Sequence, residues 1–221
     1  MTNELAPWED QSGLPQKYDD KSFTDLTKLA AFIQRIQFMS PKSDICQTGK
    51  FPMNHYALVE SKDNLVDIGE QVDCMPVAWR PKALEINGKE TLIVYDPESD
   101  DFRRIFEASQ QSQSKGFMCG PEFLLWVPSI RKFVTFFTGN KSTRIEATAI
   151  KNYIGKSATL RWRSAENRYG KWNTPAIQAC STPIDPPDLD EYKEMLDRFN
   201  NPPKQTVETV AEVKDDTERV R

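Results

Sequence analysis

The sequence predicts a mainly β fold with a few short helices. In the middle of the chain, short runs of apolar or alternating residues are separated by glycine, proline and polar turn residues, a pattern typical of strands. One stretch with helical spacing stands between the third and fourth of these runs. Three strands, a helix and two further strands is the order of an OB barrel, so we expect an OB-fold-like five-stranded barrel with added β elements and short helices. The strands are predicted at 72–86, 122–129, 132–139, 157–164 and 171–179, and the helix at 142–154.

The first of these strands is predicted to be long and partly exposed. In VDCMPVAWRPKALEI, alternation puts Met75, Val77 and Trp79 on one face. The opposite face receives Arg80, Lys82 and Leu84. Pro76 and Pro81 indicate an edge or a bend. Residues 87–117 then form an insertion, which starts at an Asn-Gly turn and contains a strand at 91–96 and a helix after Pro97.

The second half of the core is the most regular part of the sequence. EFLLWVPS and KFVTFFTG are two apolar strands joined by a turn at 128–131, as in a hairpin. Ser142 can cap the helix that follows, and Gly155 is placed for its left-handed C-terminal cap. KSATLRWRS and KWNTPAIQAC are the last two strands, with AENRYG as the exposed turn between them.

Composition divides the chain into three parts. Residues 1–25 are an irregular acidic arm, 26–181 the OB-like nucleic-acid-binding domain, and 182–221 a proline-containing linker, a short helix at 188–200 and a flexible acidic tail. Within the domain, 26–60 supplies an extra β element with strands at 32–39 and 55–60, although 32–39 could instead continue a helix begun near Ser22. The chain starts without a signal peptide, has no run long enough to span a bilayer, and its four cysteines form no CxxC pair. We therefore expect a cytoplasmic protein with reduced thiols.

Charge is segregated along the chain. The net charge is −4, but residues 1–25 carry six acids and two bases, and residues 182–221 carry eleven acids and six bases. Residues 128–172 hold ten bases against two acids, a local charge of +8. An acidic average therefore conceals a strongly basic segment, which suits a polyanionic partner.

The residue types that catalysis needs are sparse. His55 is the only histidine, and neither a GxxxxGK[ST] nor a GxGxxG motif occurs. Four acids within 96–101 could hold a metal ion, but acids complementing the dipole of a helix N-terminus explain them better. We expect a protein that is not an enzyme and has no catalytic residue, cofactor or metal.

The basic segment also contains aromatic residues, and single-stranded nucleic acid is bound by this combination. Cations follow the phosphates, and flat rings stack on unpaired bases. On the strand 157–164, alternation buries Trp162 and turns Arg161 and Arg163 outwards. Tyr169 and Trp172 lie at the turn between the last two strands, which contacts ligands in OB barrels.

Two further features of this segment leave alternatives open. On the strand beginning at 132, either Phe133 and Phe137 or Lys132 and Phe136 face the groove, and the sequence does not decide between them. The stretch 138–144 is either a phosphate site at a helix N-terminus or a solvated basic loop. The candidate nucleic-acid-binding residues are Arg131, Lys132, Phe133, Phe137, Lys141, Arg144, Arg161, Arg163, Arg168, Tyr169, Lys171 and Trp172.

Other classes of function remain. The basic face could dock an acidic protein, which would make the chain a protein-interaction module. A metal-dependent nuclease using the acids at 96–101 is a third hypothesis.

Four stretches together resemble the single-stranded DNA-binding proteins of tailed bacteriophages: CMPVAWRPKALEI, YDPESDDFRRI, CGPEFLLWVPSIRKFVTFFTGNKSTR and IGKSATL. The similarity covers roughly residues 30–185 and is one of overall pattern. It implies an OB core that coats and protects single-stranded DNA during phage replication or recombination, in the host cytoplasm. It also implies replication or recombination partners recruited by the C-terminal tail, which ends here in Glu-Arg-Val-Arg, and it is compatible with a homo-oligomer.

Overall fold

The computed structural model describes residues 33–60, 64–88, 90–111, 116–167, 170–202 and 205–209. The predicted acidic arm at 1–25 lies outside them. The described part contains ten strands and four helices and is mainly β. The strands are β1 (Arg35–Met39), β2 (His55–Val59), β3 (Leu65–Asp67), β4 (Val72–Asn87), β5 (Glu90–Val94), β6 (Phe117–Val127), β7 (Lys132–Phe137), β8 (Ala158–Asn167), β9 (Gly170–Ala179) and β10 (Gln205–Thr209). The helices are α1 (Asp44–Gln47), α2 (Asp100–Gln110), α3 (Lys141–Lys151) and α4 (Leu189–Asn200).

Strand β4 organises the sheet. One edge pairs with β6 along most of its length, while the other edge pairs with β8 at its start and with β5 at its end, all antiparallel. The register against β6 shifts between Pro76 and Ala78, so a bulge interrupts the strand where proline predicted a bend. One extra residue reverses the alternation beyond it. Met75 and Val77 consequently pack under α4, whereas Trp79 lies on the other face, and the predicted shared face of these three residues is wrong.

The last two core strands form a hairpin, which we call the arm. β8 and β9 pair along their full length, from Ala158 with Ala179 to Asn167 with Gly170. Only the base of this hairpin, at Ala158–Leu160, pairs with β4. The two predicted strands are confirmed, but 165–167 and Gly170, which were predicted in the turn, belong to β8 and β9, and Trp172 lies within β9.

Added strands cover the edge of β7. β6 and β7 form the predicted hairpin, and β1 then pairs in parallel with β7, followed by β2 and β3. The extra β element predicted within 26–60 is therefore present. The helical alternative for 32–39 is wrong from Arg35 onwards, because that segment is strand β1.

Apolar residues fill the space between the sheet and α3. Ala147 and Ile150 of α3 contact a cluster that includes Tyr56, Phe123 and Leu160, all fully buried. The helix begins at Lys141 after Asn140, so Ser142 lies inside its first turn, and the prediction that Ser142 precedes the helix as its cap is wrong. Gly155 has a left-handed conformation, with φ of +72°, but the helix ends at Lys151 with Asn152 as its C-terminal cap, so the prediction that Gly155 caps the helix is wrong.

The C-terminal segment packs on the sheet. Asp188 caps α4, which covers a cluster containing Trp126, Phe133 and Phe199. Residues 205–209 were expected in the flexible tail, but they form β10, which pairs with the free edge of β5. This pairing satisfies the backbone donors and acceptors along the edge of β5. Because the hydrogen bonds are made by the backbone, a polar segment can form such a strand. None of the described helices is both long enough and apolar enough to cross a bilayer.

Candidate nucleic-acid interface

The register of the β8–β9 arm places two arginines and a tryptophan on one face. Side chains of directly paired residues in an antiparallel hairpin point to the same side. Arg161 pairs with Ala176, Arg163 with Thr174, and Ala165 with Trp172. Because these positions are two apart on β8, Arg161, Arg163 and Trp172 share a face, which we call the arm face. Trp162 lies on the opposite face and is half-buried, whereas both arginines are exposed, as alternation predicted.

Helix α3 fixes one of these arginines. The Arg163 Nε donates to Glu146 Oε1 over 3.0 Å, and its Nη2 donates to the same oxygen. The Glu146 side chain is only 10% exposed, while that of Arg163 is 50% exposed. The carboxylate therefore holds the guanidinium in one orientation, and half of the side chain remains open to a ligand.

Tyr56 anchors the backbone of the arm. Its hydroxyl donates a hydrogen bond of 2.8 Å to the backbone carbonyl of Arg161, and the ring is fully buried. Burial, with a smaller contribution from Cys74, raises the pKa of Tyr56 well above its ordinary value. β2 thus positions the strand that carries both arginines.

Replacing Tyr56 with Phe is expected to lower the free energy of unfolding by about 1–3 kcal/mol, because the Arg161 carbonyl loses its partner in a buried place. The neutral hydroxyl is favoured in the folded state, so its contribution is complete below pH about 10 and is lost as pH rises above that value. Urea denaturation at pH 8 and pH 10.5 should show a smaller difference between wild type and Tyr56→Phe at the higher pH. A difference that does not change with pH would contradict this assignment.

A cavity lies beside Trp172 at the edge of β9. It measures about 170 Å³ and is lined by Ser40, Pro41, Lys42, Lys171, Trp172 and Asn173. Sites for drug-sized ligands measure about 300–1,000 Å³, so this cavity fits a single ring rather than a whole cofactor. The buried indole nitrogen of Trp172 finds no acceptor among the residues that the structure describes.

The loop after β1 was not predicted as part of the site. Ser40, Pro41 and Lys42 come from a segment distant in sequence from Trp172. The side-chain amide of Asn173 donates to Asn54 Oδ1 over 2.7 Å, which ties the arm to the segment that precedes β2. Nothing in the local sequence of 40–42 predicts this contact, because it depends on how β1 and β2 pack beside the arm.

The tip of the arm is only partly described. Lys171 is 72% exposed, and its ammonium lies 3.6 Å from Glu166 on the neighbouring strand. An ion pair this exposed contributes little to the free energy of folding, so the Lys171 ammonium can leave Glu166 and bind a phosphate. Arg168 and Tyr169, both predicted to contact nucleic acid, lie outside the described residues.

The candidates on β7 lie elsewhere. Phe133 is 5% exposed and packs against Trp126 and the Tyr192 ring of α4, so it offers no open face in this structure. Phe137 is half-buried, with Lys82 5.3 Å from its ring centre. Neither of the two alternative sets lines an open groove as a whole, since Phe136 is also buried. The other two candidates nearby are exposed: Arg131 in the β6–β7 turn, and Lys132, whose ammonium donates to Gln34.

The N-terminus of α3 holds Lys141 and Arg144. The structure places the Lys141 backbone in the first turn. Arg144 turns back over the preceding loop, because its Nη2 donates to the Gly139 carbonyl over 3.2 Å. Its charge also acts on the Cys119 thiol, whose pKa is raised by burial and lowered in part by Arg144. Arg144 is therefore directed towards β6 rather than towards the arm face.

The residues considered for catalysis have local partners. His55 Nδ1 lies 2.9 Å from each carboxylate oxygen of Asp67. Ser99 caps α2 by accepting from the Phe102 amide, and Asp100 and Asp101 occupy the first turn, where acids complement the helix dipole. Among the described residues there is no cluster of three or more histidine, cysteine or acidic side chains suited to a metal ion.

Comparison with known proteins gives no relative. No protein-family model matches the sequence, and neither the curated proteins nor the solved structures contain a match.

Proposed function

We propose that this protein binds single-stranded DNA without sequence preference and coats it during phage DNA replication or recombination. The arm face is the contact surface. The observation that carries the proposal is the strand register, which sets the exposed Arg161 and Arg163 on the same face as Trp172. Two exposed cations on the same face as an indole are the combination that single strands require, with arginines on the phosphates and the ring against a base.

The cavity beside Trp172 supports this proposal. A base that enters it has the indole as one wall and two lysines, Lys42 and Lys171, at its rim. Stacking is tolerant of sequence because every base has a π face. The small volume and the flanking cations suit one nucleotide of a longer chain.

The order of strands also supports an OB-like core. β4, β6 and β7 form an antiparallel meander, α3 follows, and β8 then returns to pair with β4 and carries β9 on its other edge. In OB barrels the loop between the last two strands contacts the ligand, and here that loop is the tip of the arm. β1 rather than β9 pairs with β7, so this core carries its additional strands at that position.

The test is binding of a labelled dT oligomer of about 20 nucleotides, which exceeds the footprint of one OB domain. We expect a mobility shift at low salt, quenching of tryptophan fluorescence, and an affinity that falls by about 0.7 log unit per log unit of salt for each phosphate contacted. Poly-U and duplex DNA are the comparison ligands. A wild-type protein that neither shifts nor is quenched would overturn the proposal.

Arg161→Ala tests the arm face directly. We expect weaker binding and a salt slope smaller by about 0.7, because one phosphate contact is lost. Arg103→Ala is the matched control, since Arg103 is 60% exposed on α2 and its two ion-pair distances, 3.7 and 3.8 Å, are long. Equal salt slopes for the two variants would place the contact surface elsewhere. Full competition by polyglutamate at equal charge would favour docking of an acidic protein instead.

A further inference from the structure

An exposed tryptophan, Trp79, is paired with a lysine on another part of the surface. Trp79 is 43% exposed, whereas Phe123, its partner on β6, is fully buried. The Lys151 ammonium, at the end of α3, lies 3.2 Å from the centre of the Trp79 ring. Partial burial of the Lys151 ammonium lowers its pKa. The bulge after Pro76 turns Trp79 to this face.

Trp79 and Trp172 lie in opposite directions from the place where β4 pairs with β8. β4 and β8 are antiparallel and meet only at Val72–Cys74 and Ala158–Leu160. Trp79 lies five residues beyond Cys74 on β4. Ala158, the partner of Cys74, lies seven residues before Ala165 on β8, in the opposite direction, and Ala165 pairs with Trp172. At about 3.3 Å per residue, the two rings are up to roughly 40 Å apart along the strands.

Helix α3 connects the two regions. Glu146 contacts Arg163 of the arm, and Lys151 contacts Trp79. Of the four helices that the structure describes, α3 alone has a net positive charge, with three bases and one acid in KSTRIEATAIK. That acid, Glu146, is 8% exposed and is neutralised by Arg163. A polyanion that crosses the described part of α3 therefore meets no exposed carboxylate of that helix.

We infer that a single strand bound at the arm face continues over α3 to Trp79, where a second base stacks and Lys151 turns from the ring to a phosphate. The inference rests on the proposed function and extends it, because it names a second stacking residue and the path between the two. The charge of α3 favours a nucleic acid over an apolar protein partner at this place.

Oligomer length separates the two sites. A dT oligomer of about 4 nucleotides, the lower end of the site size of one OB domain, is too short to reach from the arm to Trp79, whereas one of about 20 spans both. We expect Trp79→Leu to bind the short oligomer as wild type does and to bind the long one roughly 5- to 150-fold more weakly, the range for loss of one base stack. Trp79→Phe should restore most of the affinity for the long oligomer. Lys151→Ala should lower the salt slope for the long oligomer only.

Phe106→Leu is the matched control, because Phe106 is an exposed ring on α2 with 46% exposure. Equal binding of the long oligomer by Trp79→Leu and wild type would overturn the inference, as would an equal loss for both lengths. Absence of binding by the wild type to either oligomer would instead count against the proposed function. Urea curves on each variant show that the compared proteins are folded.

Discussion

Replacing Glu122 with Ala is expected to lower the free energy of unfolding by about 3–5 kcal/mol, because it leaves buried cations without their counter-ion. Glu122 is 2% exposed and lies between two bases of β4. Its Oε1 is 2.6 Å from the Lys82 ammonium, and its Oε2 accepts from Arg80 Nε over 2.8 Å. Arg80 also lies against the Tyr95 ring, 4.0 Å from its centre. Without the carboxylate, two like charges remain close together in a poorly solvated place.

Urea denaturation at neutral pH measures this effect. Glu107→Ala is the control, since Glu107 is exposed on α2. Glu122→Gln should cost less than Glu122→Ala, because the amide oxygen still accepts one hydrogen bond. Replacing all three charged residues by apolar ones of similar volume should recover much of the loss, since buried ion pairs are often no more stable than apolar packing. A loss below about 1 kcal/mol for Glu122→Ala would mean that water solvates this cluster.

Alternation of apolar and polar residues predicted most of the core strands, because this pattern depends only on residues that are neighbours in sequence. It also predicted that Arg80 and Lys82 share a face, and the shared partner Glu122 confirms this. It failed at Trp79, because a bulge of one residue reverses the alternation beyond it, and Pro76 indicated a bend without indicating an extra residue. The pairings of β1 with β7 and of β10 with β5 join segments far apart in sequence, so they depend on long-range packing.

In the candidate site, too, local sequence predicted the direction of single side chains but not the contacts between distant segments. Alternation alone turned Arg161 and Arg163 outwards, as the structure has them. Placing Trp172 beside them requires the register between β8 and β9, and the cavity requires the loop at 40–42 to approach from another strand. The burial of Phe133 depends on α4, which the sequence predicted as a helix without indicating where it packs.

Replacing Phe199 with Ala is expected to cost about 3–5 kcal/mol of unfolding free energy, the usual range for a fully buried phenylalanine. Its ring is fully buried in the cluster under α4, and the Arg80 guanidinium lies 4.2 Å from the ring centre. Arg80 also donates to the Phe199 backbone carbonyl. Because Arg80 contacts both Phe199 and Glu122, the double variant Glu122→Ala, Phe199→Ala should lose less than the sum of the single losses. Leu189→Ala, on the same helix at a 54% exposed position, is the control for stability.

The same variant separates two locations for the DNA contact. Loosening α4 uncovers Trp126 and Phe133, the ring that alternation had offered as a stacking partner. If single-stranded DNA binds the arm face, Phe199→Ala should bind a dT oligomer with wild-type affinity under conditions where it remains folded. This holds because neither Arg161 nor Trp172 belongs to the cluster under α4. A gain of tenfold or more, about 1.4 kcal/mol, would mean that the aromatic surface beneath α4 is itself a binding face. If Phe199→Ala loses stability but keeps its affinity, α4 stabilises the fold and does not bind DNA. The DNA contact then remains on the arm face.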